Sequence, residues 1–168
     1  LMRALVAALL EGGRLQAGPA ALHAEPTDLA ALVRELAATH FAGQPLTLEL
    51  APDLAPKAVD PARLRLLLRN LVDNALRHGA GAAEPPRITL RADGPGQVRL
   101  SVRDHGPGIA PEHLAQLGEA FWRPDSARTR AAGGVGLGLH LCRLVAQAHG
   151  GTLELHNASP GLEAVVRL

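Results

Sequence analysis

The feature that most constrains the fold is a pair of alternating segments joined by a short glycine-rich turn. Arg87–Ala92 and Gln97–Val102 each alternate apolar and polar side chains, which is the period of a strand with one buried face. Asp93-Gly94-Pro95-Gly96 lies between them, and this composition favours a hairpin turn. The sequence therefore predicts a pair of antiparallel strands in the middle of the chain.

Helical segments flank these strands, and two of them carry clear start signals. Thr27-Asp28 caps a predicted helix that reaches about Phe41, and Asp60-Pro61 precedes a predicted helix over Ala62–His78. The other predicted elements are a helix over Leu1–Leu10, a linker bracketed by Gly18-Pro19 and Glu25-Pro26, a strand over Leu46–Leu50, a short helix over Pro111–Leu117, a helix over Gly136–His149, and a closing hairpin of Thr152–His156 with Leu162–Leu168.

Composition excludes several classes of function. The 168 residues suffice for one domain with a short appendage. Lys and Arg number 17 against 16 Asp and Glu, and this balance argues against a chain that coats nucleic acid. Aromatic residues make up 2%, too few for a base-stacking platform. The single cysteine, Cys142, excludes an intramolecular disulfide, and the single lysine, Lys57, is not placed in a P-loop.

The start of the chain indicates a fragment of a longer protein. Leu1-Met2-Arg3 lacks the layout of a signal peptide, and a leucine precedes the first methionine. No apolar stretch of the sequence is long enough to span a membrane.

The predicted helix over Ala62–His78 carries a polar face opposite its leucines. Asn70 and Asn74 are four residues apart, so their amide oxygens lie one above the other, and Arg77 and His78 follow within a turn. This set suits a hydrated Mg²⁺ and the phosphates that it carries, because Mg²⁺ keeps several waters and takes few protein ligands. An exposed polar face without a ligand is the alternative interpretation.

Two glycine-rich segments add to this pattern. Asp104-His105-Gly106-Pro107-Gly108 follows a strand directly, where a carboxylate can accept a hydrogen bond from an exocyclic amine such as that of adenine. Residues 133–139 open a helix, whose unpaired N–H groups would face phosphate. Each segment is also compatible with an ordinary turn.

The order of four motifs resembles the catalytic domain of sensor histidine kinases, in the GHKL superfamily of ATPases and kinases. Asn70–Ala75 resembles the N box, and Asp104-x-Gly106-x-Gly108-Ile109 resembles the first glycine box. Phe121–Pro124 resembles the F box, and Gly134–Leu139 resembles the second glycine box. All four occur in the family's order, with a long loop where the family has its ATP lid. The resemblance covers residues 27–168.

The resemblance implies an α/β (α+β) two-layer sandwich, in which a mixed, mostly antiparallel sheet carries three helices on one face. It implies ATP and Mg²⁺ as cofactors, with Asn74 and Asn70 on the metal and Asp104 on the adenine amino group. Arg123 and Arg128 would be lid cations available to the γ-phosphate, and Asn70 joins them as a catalytic residue. The nucleotide-binding residues that it implies are Asn70, Asn74, Arg77, His78, Asp104, Gly106, Gly108, Ile109, Gly134, Val135, Gly136, Leu137 and Gly138.

The resemblance also implies the domain organisation and the partners. Residues 1–16 resemble the end of a dimerisation and phosphotransfer helix, residues 17–26 form a linker, and residues 27–168 form the catalytic domain. The implied partners are the protein's own dimerisation domain and a cognate response regulator, in a homodimeric full-length protein. Nucleic acid is not among them. A membrane enters only through segments upstream, which makes this a cytoplasmic domain of a bacterial inner-membrane sensor.

The sequence departs from the family at the phosphoacceptor. The family's acceptor histidine lies in a His-Glu/Asp-x-Arg-x-Pro type motif, and none of the eight histidines has that context. The nearest is His23-Ala24-Glu25-Pro26, in the predicted linker. We therefore expect a protein histidine kinase fragment that binds ATP, does not phosphorylate itself, and transfers the γ-phosphoryl group to an upstream histidine.

Two alternatives remain open. Gyrase-type, chaperone, mismatch-repair and anti-sigma-factor kinase members share the superfamily, but its hydrolysing members carry a glutamate four residues before the metal asparagine. Asn70 occupies that position here and is not a base, which favours phosphotransfer. The other alternative is a catalytically silent nucleotide-binding or docking module.

Overall fold

The computed structural model describes residues 22–120, residue 122 and residues 137–168, and these form a sheet layer and a helix layer. The predicted helix over Leu1–Leu10 and the segment containing Phe121, Arg123, Arg128, Gly134, Val135 and Gly136 lie outside the described residues. In chain order the elements are β1 (Glu25–Thr27), α1 (Leu29–Thr39), β2 (Thr47–Leu50), β3 (Lys57–Val59), α2 (Pro61–His78), β4 (Arg87–Ala92), β5 (Val98–Arg103), α3 (Pro111–Leu114), α4 (Gly138–Ala148), β6 (Thr152–Asn157) and β7 (Leu162–Arg167).

The main sheet has five strands in the order β2-β4-β5-β7-β6. Only the β2–β4 pair is parallel, and the other three pairs are antiparallel. The predicted central hairpin is confirmed, with Leu90 opposite Leu100 and the turn closed by a 3.0 Å bond from Asp93 N to Gln97 O. Gly94 and Gly96 adopt positive φ there, a conformation that glycine accepts without strain.

Three helices pack against one face of this sheet, as the resemblance implied. Their apolar stripes meet alternate residues of the strands, and together they form one buried core. Among its members are Leu32 and Val33 of α1, Leu67, Leu68 and Leu71 of α2, Cys142 and Val145 of α4, and Ile88, Leu100, Val102 and Val166 of the sheet. The two-layer sandwich is therefore confirmed.

The predicted helix starts agree with the structure. The Asp28 side chain accepts from Ala31 N at 2.9 Å, and Asp60 Oδ1 accepts from Arg63 N at 3.1 Å, as N-caps do. Helix α1 ends at Thr39, two residues before the predicted end, because the chain turns to bury Phe41 in the core. Among the described residues, none of the helices combines the length and apolar character of a membrane span.

A small second sheet differs from the sequence expectation. Strands β1 and β3 pair antiparallel, with Glu25 opposite Val59. Thus Glu25-Pro26, predicted to close a linker, belongs to a strand. Short strands of three residues that contain or border proline carry no alternation signal, so their pairing follows from the tertiary fold.

A buried polar network ties α2 to α4 where the second sheet meets the helices. Asp60 is 3% exposed, and its Oδ2 accepts from His23 N at 3.0 Å. Asp60 N donates to His149 Nε2 at 3.0 Å, so His149 Nδ1 carries the proton and donates to Val145 O at 2.7 Å. This histidine therefore has a structural role.

Candidate functional site

Helix α2 presents its two asparagines beside the start of α4. Asn70 and Asn74 are both half-buried. Asn70 Nδ2 donates to Leu66 O at 2.8 Å, and the other amide atom, Oδ1, is an acceptor beside α4. A Cβ atom at Gly138 would lie 2.9 Å from Asn70 Oδ1, closer than real contacts permit. The first residue of α4 must therefore be small for the two helices to meet at Asn70.

The first peptide N–H groups of α4 lie at this point. Leu137 occupies the N-cap, and no side chain of the described residues caps the helix there. The helix is 11 residues long, so its dipole places partial positive charge at Gly138. Such an end suits a phosphate group. Leu137 and Gly138 thus lie at the start of α4 beside Asn70, while their three upstream neighbours in the motif lie outside the described residues.

Asp104 is the buried carboxylate of the site. It directly follows β5 and is 5% exposed. Oδ1 accepts from Gly106 N at 2.9 Å and from Leu162 N at 3.3 Å. Within the part of the chain that the structure describes, Oδ2 has no hydrogen-bond partner, so it remains available as an acceptor. A carboxylate held in this way can bind the amino group of a planar base.

Three close approaches of backbone surround Asp104. A Cβ atom at Gly106 would overlap His78 O, and one at Gly161 would overlap Asp104 O. A Cβ atom at Gly79 would lie 2.8 Å from Ala75 O. The end of α2, the glycine loop and the turn between β6 and β7 therefore converge on this carboxylate only because glycine stands at these positions.

Asn157 holds the far end of the glycine loop, and the sequence analysis did not single it out. Ile109 N donates to Asn157 Oδ1 at 2.9 Å, and Asn157 Nδ2 donates to Ile109 O at 2.6 Å. Gly108 adopts φ +73°, and a Cβ atom there would lie 2.8 Å from Asn157 Oδ1. An asparagine beside a hairpin turn has an ordinary local explanation, so only the fold reveals this contact 48 residues away.

The remaining predicted residues lie along the same helix. Arg77 and His78 are exposed in the last turn of α2, and the carbonyl of His78 faces Gly106. Asn70 and His78 are eight residues apart, which corresponds to about 12 Å of helix. Helix α2 thus carries the two asparagine side chains, and it lies beside the N-terminus of α4 at Asn70 and beside the buried Asp104 at its C-terminal end. This arrangement suits a ligand with a phosphate end and a base end.

Comparisons with known proteins agree with this geometry. The family model described as histidine kinase-, DNA gyrase B- and HSP90-like ATPase matches residues 59–168. Sensor histidine kinase MtrB of Mycobacterium leprae is 37% identical over 165 residues, which are 95% of this chain and 29% of that protein. Sensor protein QseC of Salmonella typhi is 44% identical over 108 residues, which are 64% of this chain and 22% of that protein.

Among solved structures, full-length ShkA in complex with AMPPNP superposes with a TM-score of 0.80 and 30% identity. That match covers 98% of this chain and 35% of the ShkA chain. The chain thus spans about a third or less of the length of these relatives. It belongs to the family of histidine kinase-, DNA gyrase B- and HSP90-like ATPases, and its relatives in that family are sensor histidine kinases.

Proposed function

We propose that this chain is the ATP-binding catalytic domain of a sensor histidine kinase. It transfers the γ-phosphoryl group of Mg-ATP to a histidine of the kinase's dimerisation domain, for relay to an aspartate of a response regulator. The observation that carries the proposal is the convergence of Asn70, the N-terminus of α4 and Asp104 along helix α2. The family and the sensor kinase relatives support it.

Asp104 selects the base. Its Oδ1 is occupied by two backbone N–H groups, so Oδ2 is the atom that accepts from the adenine amino group. Gly106 and Gly108 allow the loop backbone to line the base, while Asn157 fixes Ile109. Because Asp104 is buried, its hydrogen bond to the base forms away from competing water and is correspondingly selective.

The other end of the ligand binds at α2 and α4. The N-terminus of α4, which no side chain of the described residues caps, receives phosphate oxygens. Gly134, Val135, Gly136 and Leu137 precede it in the motif. Asn74 and Asn70 would hold Mg²⁺, and the bound ion would supply charge that neutralises the phosphates. Arg77, His78, Arg123 and Arg128 supply further donors or positive charge toward the phosphates. Asn70 activates no water, which favours transfer to histidine over hydrolysis.

The rest of the kinase supplies the acceptor and the partners. In this division residues 1–16 belong to the dimerisation domain and residues 27–168 to the catalytic domain. Residues 17–26 connect the two, with Glu25 and Pro26 already in strand β1. The phosphoacceptor histidine belongs to the dimerisation domain, and the full-length protein works as a homodimer beside a membrane. A response regulator receives the phosphoryl group.

Replacing Asn74 tests the metal assignment. Asn74→Ala removes one amide oxygen from a half-buried position on α2, so we expect Mg²⁺ to lose its enhancement of ATP binding. Asp73→Ala is the matched control, because Asp73 is the exposed neighbour on the same helix. Calorimetric titration with a non-hydrolysable ATP analogue, with and without Mg²⁺, measures both. Metal enhancement of equal size in the wild type and in Asn74→Ala contradicts the assignment.

Phosphoryl transfer tests the reaction itself. The chain is mixed with the dimerisation domain of its own kinase, Mg²⁺ and ATP labelled at the γ-phosphate. We expect label on the dimerisation domain that is lost in acid and retained in base, as phosphohistidine is, and no label on this chain. ATP binding without any transfer would instead favour a silent nucleotide-binding module.

A further inference from the structure

The turn between β6 and β7 and the strand residues that flank it contact both ends of the Asp104–Ile109 loop. Asp104 N donates to Leu162 O at 3.0 Å, and Leu162 N donates back to Asp104 Oδ1 at 3.3 Å. Gly161 lies so close to Asp104 that no side chain fits between them. The position of the carboxylate therefore depends on the position of this turn.

Two polar side chains in turn fix the β6–β7 turn relative to the loop. Arg103 precedes Asp104 on β5, and its Nη2 atom donates to Ala158 O at 2.9 Å and to Pro160 O at 3.0 Å. Asn157, the last residue of β6, binds both backbone groups of Ile109. One side chain thus connects the start of the loop to the turn, and the other connects the end of the loop to it.

From these contacts we infer that Arg103 and Asn157 are positioning residues that set the base selectivity of the nucleotide site. This inference rests on the proposed function, in which Asp104 binds adenine. Neither side chain touches Asn70, Asn74 or Gly138 in the described structure, so their effect is confined to the base end of the ligand. They act through Asp104 and Ile109, whose distance from the base they fix.

The test uses two independent variants. Asn157→Asp keeps an oxygen for Ile109 N but replaces the donor to Ile109 O with a second oxygen, so one bond is lost and two acceptors oppose each other. Arg103→Gln removes the donor that bridges two carbonyls. Asn157 is exposed and Arg103 lies outside the apolar core, so both variants should fold, which circular dichroism checks.

Matched controls remove similar groups elsewhere. Arg99→Gln removes a guanidinium from the same strand, where it pairs with Glu163 at 3.4 Å. Thr152→Ala changes an exposed residue at the opposite end of β6. Neither control contacts the loop or the turn.

The measurement distinguishes binding of the base from binding of the phosphates. Dissociation constants are measured for ADP, for GDP and for inorganic triphosphate, each with Mg²⁺. We expect each variant to weaken ADP binding about tenfold, the change for one or two lost hydrogen bonds. Affinity for inorganic triphosphate should stay within about twofold of wild type. Arg103→Lys keeps a cationic donor group but not the planar guanidinium, so it should recover part of the loss in ADP binding.

Three results would overturn either the proposed base recognition or the inference that rests on it. Wild-type protein that does not prefer ADP to GDP overturns the proposed base recognition on which the inference rests. Wild-type preference that survives in both variants overturns the inference alone. Equal losses for ADP and inorganic triphosphate also overturn it, because they indicate general disruption rather than control of the base end.

Discussion

Replacing Asp104 with asparagine changes one atom of the candidate site while keeping its frame. The Oδ1 atom of the new amide can still accept from Gly106 N and Leu162 N, so the loop should keep its conformation. The Oδ2 acceptor becomes an amide donor, however, and it then opposes the amino donor of adenine. Asp104→Asn should therefore weaken recognition of adenine without unfolding the domain.

The expected size follows from the bond that is lost. A hydrogen bond to a charged group contributes about 1.5–3 kcal/mol, so adenine nucleotides should bind about 10- to 100-fold more weakly. Guanine carries a carbonyl acceptor where adenine carries its amine, so GTP should lose nothing at this atom. The preference for ATP over GTP should consequently shrink by at least about tenfold.

Competition for a fluorescent ADP analogue measures these affinities in one format. Glu112→Gln is the matched control, because it removes one negative charge from an exposed residue shortly after the same loop. An Asp104→Asn protein that keeps the wild-type ratio of ATP to GTP affinity would show that this carboxylate does not read the base.

Three further predictions concern stability and titration. His149→Ala should lower the free energy of unfolding by about 2–3 kcal/mol, because it leaves Asp60 N buried without its acceptor. Urea denaturation measures this loss, and a loss no larger than that of the exposed variant His156→Ala contradicts the network. Burial raises the pKa of the Cys142 thiol, so a thiol reagent should modify it only after unfolding, and rapid labelling of the native protein would contradict its placement in the core. The hydrogen bond from Arg167 lowers the pKa of the Glu154 carboxyl, so this pair should stabilise the fold above the ordinary glutamate pKa and lose that effect as pH falls through the lowered value. Arg167→Gln should raise the pKa of Glu154 in an NMR titration, and an unchanged value contradicts the pairing.

Local signals in the sequence account for most of the main sheet and the helices. Asp28 and Asp60-Pro61 mark helix starts through short-range hydrogen bonds, and Asp93–Gly96 marks a turn through backbone preference. These signals act within a few residues, so they can be read without the fold. The two short strands β1 and β3 lack such signals, since their pairing joins residues that are 30 to 34 positions apart.

The residues of the candidate site likewise fall into those that the sequence predicts and those that only the fold reveals. Asn70, Asn74, Asp104 and the glycines could be proposed because their order matches four family motifs, while their roles remain predictions. Arg103, Asn157 and Gly161 could not, because each acts through contacts made across the sheet. Arginine on a strand and asparagine beside a turn are common for local reasons, so the sequence gives them no distinguishing signal.

The central claim is that one site binds adenine at Asp104 and metal-bound phosphates at Asn70, Asn74 and the start of α4. Calorimetric titration of the wild-type chain with a non-hydrolysable ATP analogue, in the presence and absence of Mg²⁺, tests it most directly. The account predicts saturable binding of one ATP analogue per chain. Mg²⁺ should strengthen this binding, and the equivalent GTP analogue should bind more weakly. Absence of binding at millimolar analogue, or equal binding of both analogues regardless of Mg²⁺, would contradict it.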